Sequence, residues 1–187
     1  GFGRAMALAQ APGPGATVTL GGLIRPSINP RIVYELWPGM DVFFDNGRGR
    51  RVRVVTGRAG FRGHDHPADK GRGVRRVVGI GDSLMFGWGV EQGQDYLSQV
   101  EERLNDDGGE GGAWEVVNTA VPGYNTAMEV ETVEVRGLAY RPDLVVLGFC
   151  PNDAGLPSFI LAQRDVLSMH ESFVVSFVRG RFEPLPG

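Results

Sequence analysis

Ser83 stands where a reactive hydroxyl could do chemistry. The stretch "RRVVGIGDSLMFGWGV", residues 75–90, is small and apolar from Val77 to Ile80 and then breaks into Gly81-Asp82-Ser83. A serine hydroxyl becomes a useful nucleophile only beside a general base, normally a histidine oriented by a third group. Two further polar stations follow along the chain. One is Val121-Pro122-Gly123-Tyr124-Asn125, the other Gly148-Phe149-Cys150-Pro151-Asn152-Asp153. Taken singly, each has an ordinary role: serine caps a helix, glycine makes a turn, Asn-Asp caps or turns. What matters is whether the fold brings the three together.

The elements around them predict that it does. "VRRVVGIG" reads as a buried strand, followed by a helix over "QDYLSQVEERLNDD" with Tyr96, Leu97, Val100 and Leu104 at helical spacing. "WEVVNTAV" is the next strand. "TAMEVETVEVRGLAY" is a second helix, with Met128, Val135 and Leu138 facing inward, and "PDLVVLGF" is a third strand. Strand and helix alternating, with near-continuous apolar strands, means a parallel sheet covered by helices. Ligands of such sheets bind beyond the carboxyl ends of the strands. All three stations fall on that edge.

The flanks differ. Residues 1–25 are rich in Gly, Ala and Pro and are expected to be a flexible N-terminal segment. Residues 26–72 read as a β-hairpin-rich extension and linker, because "RIVYELW", "MDVFF" and "RRVRVV" are separated by "PG" and "DNGRG". Residues 73–187 form the α/β domain. Its tail, "RDVLSMHESFVVSFVRG", places Val166, Met169, Phe173 and Phe177 at helical steps.

Gly-Asp-Ser after the first strand, Gly123 in "NTAVPGYNT" after the second and Asn152 in "GFCPND" after the third resemble, in order, the motifs of the GDSL/SGNH hydrolase family. The resemblance covers about residues 73–155, and the lead-in "GFRG" resembles an extension of some bacterial members. It implies a three-layer α/β/α flavodoxin-like fold. It also implies hydrolysis of a carboxylic (acyl or acetyl) ester through an acyl-serine, with Ser83 as nucleophile. The backbone N–H groups of Ser83 and Gly123 and the side-chain amide of Asn152 would be the oxyanion donors. Asp82, beside Gly81, would order the loop rather than act as a catalytic acid. The substrate would be a small-molecule, carbohydrate or lipid ester, handled without metal or organic cofactor. Two other readings keep the cleft: transfer of the acyl group to a carbohydrate hydroxyl, or a binding module without catalysis.

The base is the gap in this picture. The family takes it from an Asp-x-x-His near the carboxyl end, after further strands. This chain has three histidines, His64, His66 and His170, and none follows an aspartate at that spacing. Asp165 and His170 are five residues apart, which on a helix separates them by about 140°. "GHDHP" has the makings of a metal site or of a reach toward the serine, but reads first as a polar loop. With three strands expected, the sequence resembles the front of a longer enzyme, its catalytic histidine not identifiable.

Composition narrows the rest. The 187 residues are 42% hydrophobic with net charge -3, so no strong pull toward nucleic acid or anionic membrane is expected. Lys70 is the only lysine. Arginines crowd between Arg48 and Arg76 and read as solvated side chains on a hairpin. Cys150 is the only cysteine, which excludes an intrachain disulfide and a cysteine metal cluster. It reads as a small buried residue at a strand end. Trp88 and Tyr124 are equally suited to line a pocket or to fill the core. There is no Gly-Lys-Ser/Thr phosphate loop and no His-Glu-x-x-His, and Leu84 stands where a dinucleotide fingerprint needs glycine. No apolar run is long enough to span a bilayer. "AMALAQAPGPGA" has the small residues of a signal-cleavage region but too short an apolar part, a lean toward the secreted or envelope side that leaves the compartment open.

Overall fold

A computed structural model describes residues 10–106 and 112–155. The first part is built from short pieces: β1 (Thr17–Val18), α1 (Leu20–Leu23), β2 (Ile24–Pro26), β3 (Tyr34–Leu36), β4 (Asp41–Asp45) and β5 (Arg51–Val55). β4 and β5 pair antiparallel, Asp41 opposite Val55 and Asp45 opposite Arg51, across the "NGRG" turn. β1 adds parallel to β4, and β2 pairs antiparallel with β3. Alternate residues Val42, Phe44, Val52 and Val54 are buried, the period expected of strands with one face on a core.

The second part follows the alternation in the sequence. β6 (Arg75–Gly81) leads into α2 (Ser83–Phe86) and α3 (Tyr96–Asp106). β7 (Trp114–Asn118) leads into α4 (Thr126–Thr132), and β8 (Leu144–Gly148) closes the series. β6 lies between β7 and β8 and is parallel to both. A central parallel strand is covered on both faces, and β6 is buried from Arg76 to Gly81. This is the flavodoxin-like α/β arrangement. No described helix is long and apolar enough to cross a membrane.

The two parts share one core. A continuous cluster joins Ile24, Tyr34, Val42 and Phe44 to Val77, Phe86, Leu97, Tyr124 and Met128. Residues 17–25, expected to be flexible, hold β1 and α1 and fully bury Leu23 and Ile24. A few well-spaced apolar side chains outweigh the small residues around them, since burying each stabilises by about 2 kcal/mol.

Three other expectations change. In α3, Leu97 is buried but Tyr96 is 56% exposed. Beyond α4, Val135 and Leu138 are each half exposed, because the chain widens into a π-helical turn over Val133–Gly137 and tightens into a 3-10 turn over Leu138–Tyr140. The departure from a regular helical step rotates the inward face to Met128, Glu129, Thr132 and Gly137. The arginine-rich region is not only a solvated surface: Arg62 and Arg76 are buried. The helix expected over the tail lies outside the described residues.

Candidate active site

Ser83 is the first residue of α2, just beyond the carboxyl end of the central strand. Asp82 caps that helix: its carboxylate accepts the Leu84 N–H at 2.9 Å, and its other oxygen lies 3.4 Å from Ser83 Oγ. Asp82 is fully buried beneath the turn. Gly81 stands opposite Gly148 across β6 and β8. A Cβ on Gly81 would sit 2.7 Å from Met85 Cβ, so glycine lets α2 fold back over the strand end.

The other end of α2 is held by Arg62, from the "GFRG" lead-in. Its buried guanidinium donates to the carbonyls of Phe86 at 2.6 Å, Gly87 at 2.7 Å and Val90 at 2.6 Å. Its Nε lies 3.8 Å from the Asp95 carboxylate. A four-residue helix has few bonds of its own, so these two anchors set where Ser83 stands.

Gly123 lies in the loop after β7 with φ +81°, a left-handed conformation that favours glycine, and a Cβ there would meet Tyr34 Oη at 2.8 Å. Tyr34 belongs to β3 of the lead-in. Its hydroxyl donates to the Pro122 carbonyl at 3.0 Å, and the Tyr124 hydroxyl donates back to the Tyr34 carbonyl at 2.7 Å. Burial raises both phenol pKa values well above their ordinary range, so both remain protonated donors. Tyr124 is therefore a core residue. Trp88 packs edge-on against Phe44, ring centres 4.6 Å apart.

Asn152 lies on the 3-10 turn Pro151–Ala154 after β8. That turn is tied to the β7 loop. Asn125 accepts the Met128 N–H at 3.1 Å to cap α4 and donates to the Gly155 carbonyl at 2.8 Å. Thr126 Oγ1 donates to the Asp153 carbonyl at 3.2 Å, and the buried Asp153 carboxylate accepts the Cys150 N–H. Cys150 itself is half-buried. The parallel register of β6, β7 and β8 thus brings the loops bearing Ser83, Gly123 and Asn152 to one edge of the sheet.

Sequence reasoning missed the carboxyl group behind this edge. Glu129, on α4, is 1% exposed, and neither of its oxygens has a hydrogen-bond partner among the described residues. Burial, with the nearby charges of Asp153 and Asp82, pushes its pKa up to about 7. Asp153 is likewise raised, by burial and by Asp82 against the opposing Cys150 N–H bond. No pattern marks Glu129, because in "TAMEVETVEV" it alternates with apolar residues as a surface glutamate would.

The described histidines are elsewhere. His64 and His66 lie beside Glu101 of α3, and His66 also faces Glu115 near the start of β7. They lie along β7, where Glu101 accepts the Val116 N–H and Glu115 stands opposite Arg76 of β6. Asp165 and His170 lie outside the described residues.

No relative among curated proteins matches the chain. Among solved structures, AlinE4, an SGNH-hydrolase family esterase, is similar at 24% identity over 62% of this chain and 58% of that one, with a TM-score of 0.38. A mutant of esterase AlinE4 is similar at 26% identity over 49% of each chain, also with a TM-score of 0.38. The chain therefore covers between 49% and 58% of the length of these two proteins. The model of the GDSL-like lipase/acylhydrolase family matches residues 80–169, the segment that carries Ser83, Gly123 and Asn152. Through residues 80–169 the chain is similar to the GDSL/SGNH hydrolase family.

Proposed function

We propose that the chain carries the nucleophile and oxyanion-binding parts of a serine esterase. The observation that carries this reading is the placement of Ser83 at the head of a doubly anchored helix, with the Gly123 and Asn152 loops on the same sheet edge. Ser83 Oγ attacks the ester carbonyl and gives its proton to a base. The carbonyl oxygen becomes negative and takes hydrogen bonds from the N–H groups of Ser83 and Gly123 and from the Asn152 amide. The intermediate collapses, the alcohol leaves with a proton, and water releases the acid from the acyl-serine. Each oxyanion donor is worth about 3 kcal/mol in the transition state. Transfer to a carbohydrate hydroxyl in place of water would use the same residues.

A binding module without catalysis is the second reading. It is favoured by the position of His64 and His66, which lie beside Glu101 and Glu115 along β7. The test is a fluorophosphonate probe together with p-nitrophenyl acetate. Ser83 is expected to take the label, and Ser83→Ala to lose both labelling and turnover. Turnover that survives in Ser83→Ala puts the nucleophile elsewhere. An unlabelled native Ser83 in a chain that still binds an ester favours the binding module.

A further inference from the structure

His64, His66 and Glu101 form a cluster that the esterase reading does not use. Their ligand atoms all lie within 4.8 Å of one another. The Nε2 atoms of His64 and His66 are each 3.9 Å from Glu101 Oε1, and the two rings are 4.2 Å apart. These separations are too long for direct hydrogen bonds, and Glu101 Oε1 also accepts the Val116 N–H at 3.2 Å. The His66 side chain is only 6% exposed, and its second nitrogen, Nδ1, faces Glu115 Oε2 at 3.8 Å. The same Glu115 oxygen accepts the Arg76 guanidinium, with Nε at 2.8 Å. A metal-bound histidine commonly donates its other N–H to a carboxylate; at 3.8 Å Glu115 has to approach further to become that partner of His66.

We propose that His64, His66 and Glu101 bind a divalent transition ion of the zinc class, with Glu115 orienting His66 from behind. Two imidazoles and one carboxylate suit zinc, whereas magnesium and calcium prefer oxygen ligands. Ligands at about 2.0–2.1 Å from zinc in tetrahedral geometry lie about 3.4 Å apart. Each of the two 3.9 Å histidine–carboxylate distances then has to shorten by about half an ångström. His64, with a side chain 67% exposed, is free to swing. The ion would join the "GHDHP" loop to α3 alongside β7. Its effect is on stability, with no part in acyl transfer.

The experiment takes the chain through EDTA and gel filtration, then titrates Zn2+ while following bound metal and Tm. One Zn2+ per chain and a rise in Tm of several degrees are expected, with no response to Mg2+. Co2+ in the same site should give the visible absorption of low-symmetry coordination. His64→Ala, at an exposed position that leaves the core intact, should weaken binding at least tenfold, and His66→Ala and Glu101→Gln likewise. Glu115→Gln should weaken it about 10-fold with the stoichiometry kept. His170→Ala should change nothing. Absence of stoichiometric Zn2+ binding at micromolar concentration, or undiminished binding by His64→Ala, overturns the proposal.

Discussion

At the scale of single residues, the environment of Ser83 is more acidic than its sequence neighbours suggest. Asp82, Asp153 and Glu129 converge beneath it, and a full set of negative charges there would oppose an oxyanion. Keeping one of them protonated reduces that opposition. Glu129 has the raised value, from an ordinary 4.5 to about 7. The folded state therefore holds this proton more tightly than the unfolded chain does. The resulting stability is fully present below about pH 4.5 and is lost as pH rises through about 7. Glu129→Gln cannot ionise, so relative to the native chain it should gain stability between pH 5 and pH 8, on the order of a few kcal/mol. Urea midpoints of the two proteins at both pH values measure this. A native-to-variant gap that is the same at pH 5 and pH 8 would contradict the burial argument.

At the scale of elements, α2 is too short to hold itself and depends on what ties its ends. Arg62 alone satisfies three carbonyls there. Arg62→Met keeps much of the bulk but leaves those acceptors buried without donors and Asp95 without its cation. A loss of about 3–5 kcal/mol is expected, read by urea denaturation, with slower labelling of Ser83. A change below 1 kcal/mol would show that solvent reaches the loop and replaces the arginine. Arg62 also illustrates what the sequence does and does not reveal. β6, β7, β8 and α3 are legible because apolar periodicity over five or more residues reflects burial directly. The loops bearing Ser83, Gly123 and Asn152 are legible because each begins where a strand pattern ends. Arg62, Tyr34 and Glu129 are not, since their roles come from contacts 24 to 90 residues away, or from a helix face, that no local pattern encodes. Val135 and Leu138 were misleading for a related reason: a regular helical step cannot anticipate a π-helical turn.

At the scale of the whole molecule, the boundary expected near residue 73 divides the sequence but not the core. Tyr34, Val42 and Phe44 from one side pack in the same cluster as Phe86, Tyr124 and Met128 from the other. Unfolding of either side exposes the other, so calorimetry should show one cooperative transition for the described parts. Residues 73–187 expressed alone should lack that transition. Two separate heat peaks, or a cooperative melt of 73–187 by itself, would establish independent domains. The reciprocal bonds between Tyr34 and the Pro122–Tyr124 loop carry a consequence for the timing of events. If Gly123 meets a developing charge, as proposed, it has already lost its freedom when the chain folded, once in the life of the molecule. On that reading an arriving ester does not have to supply that ordering entropy again.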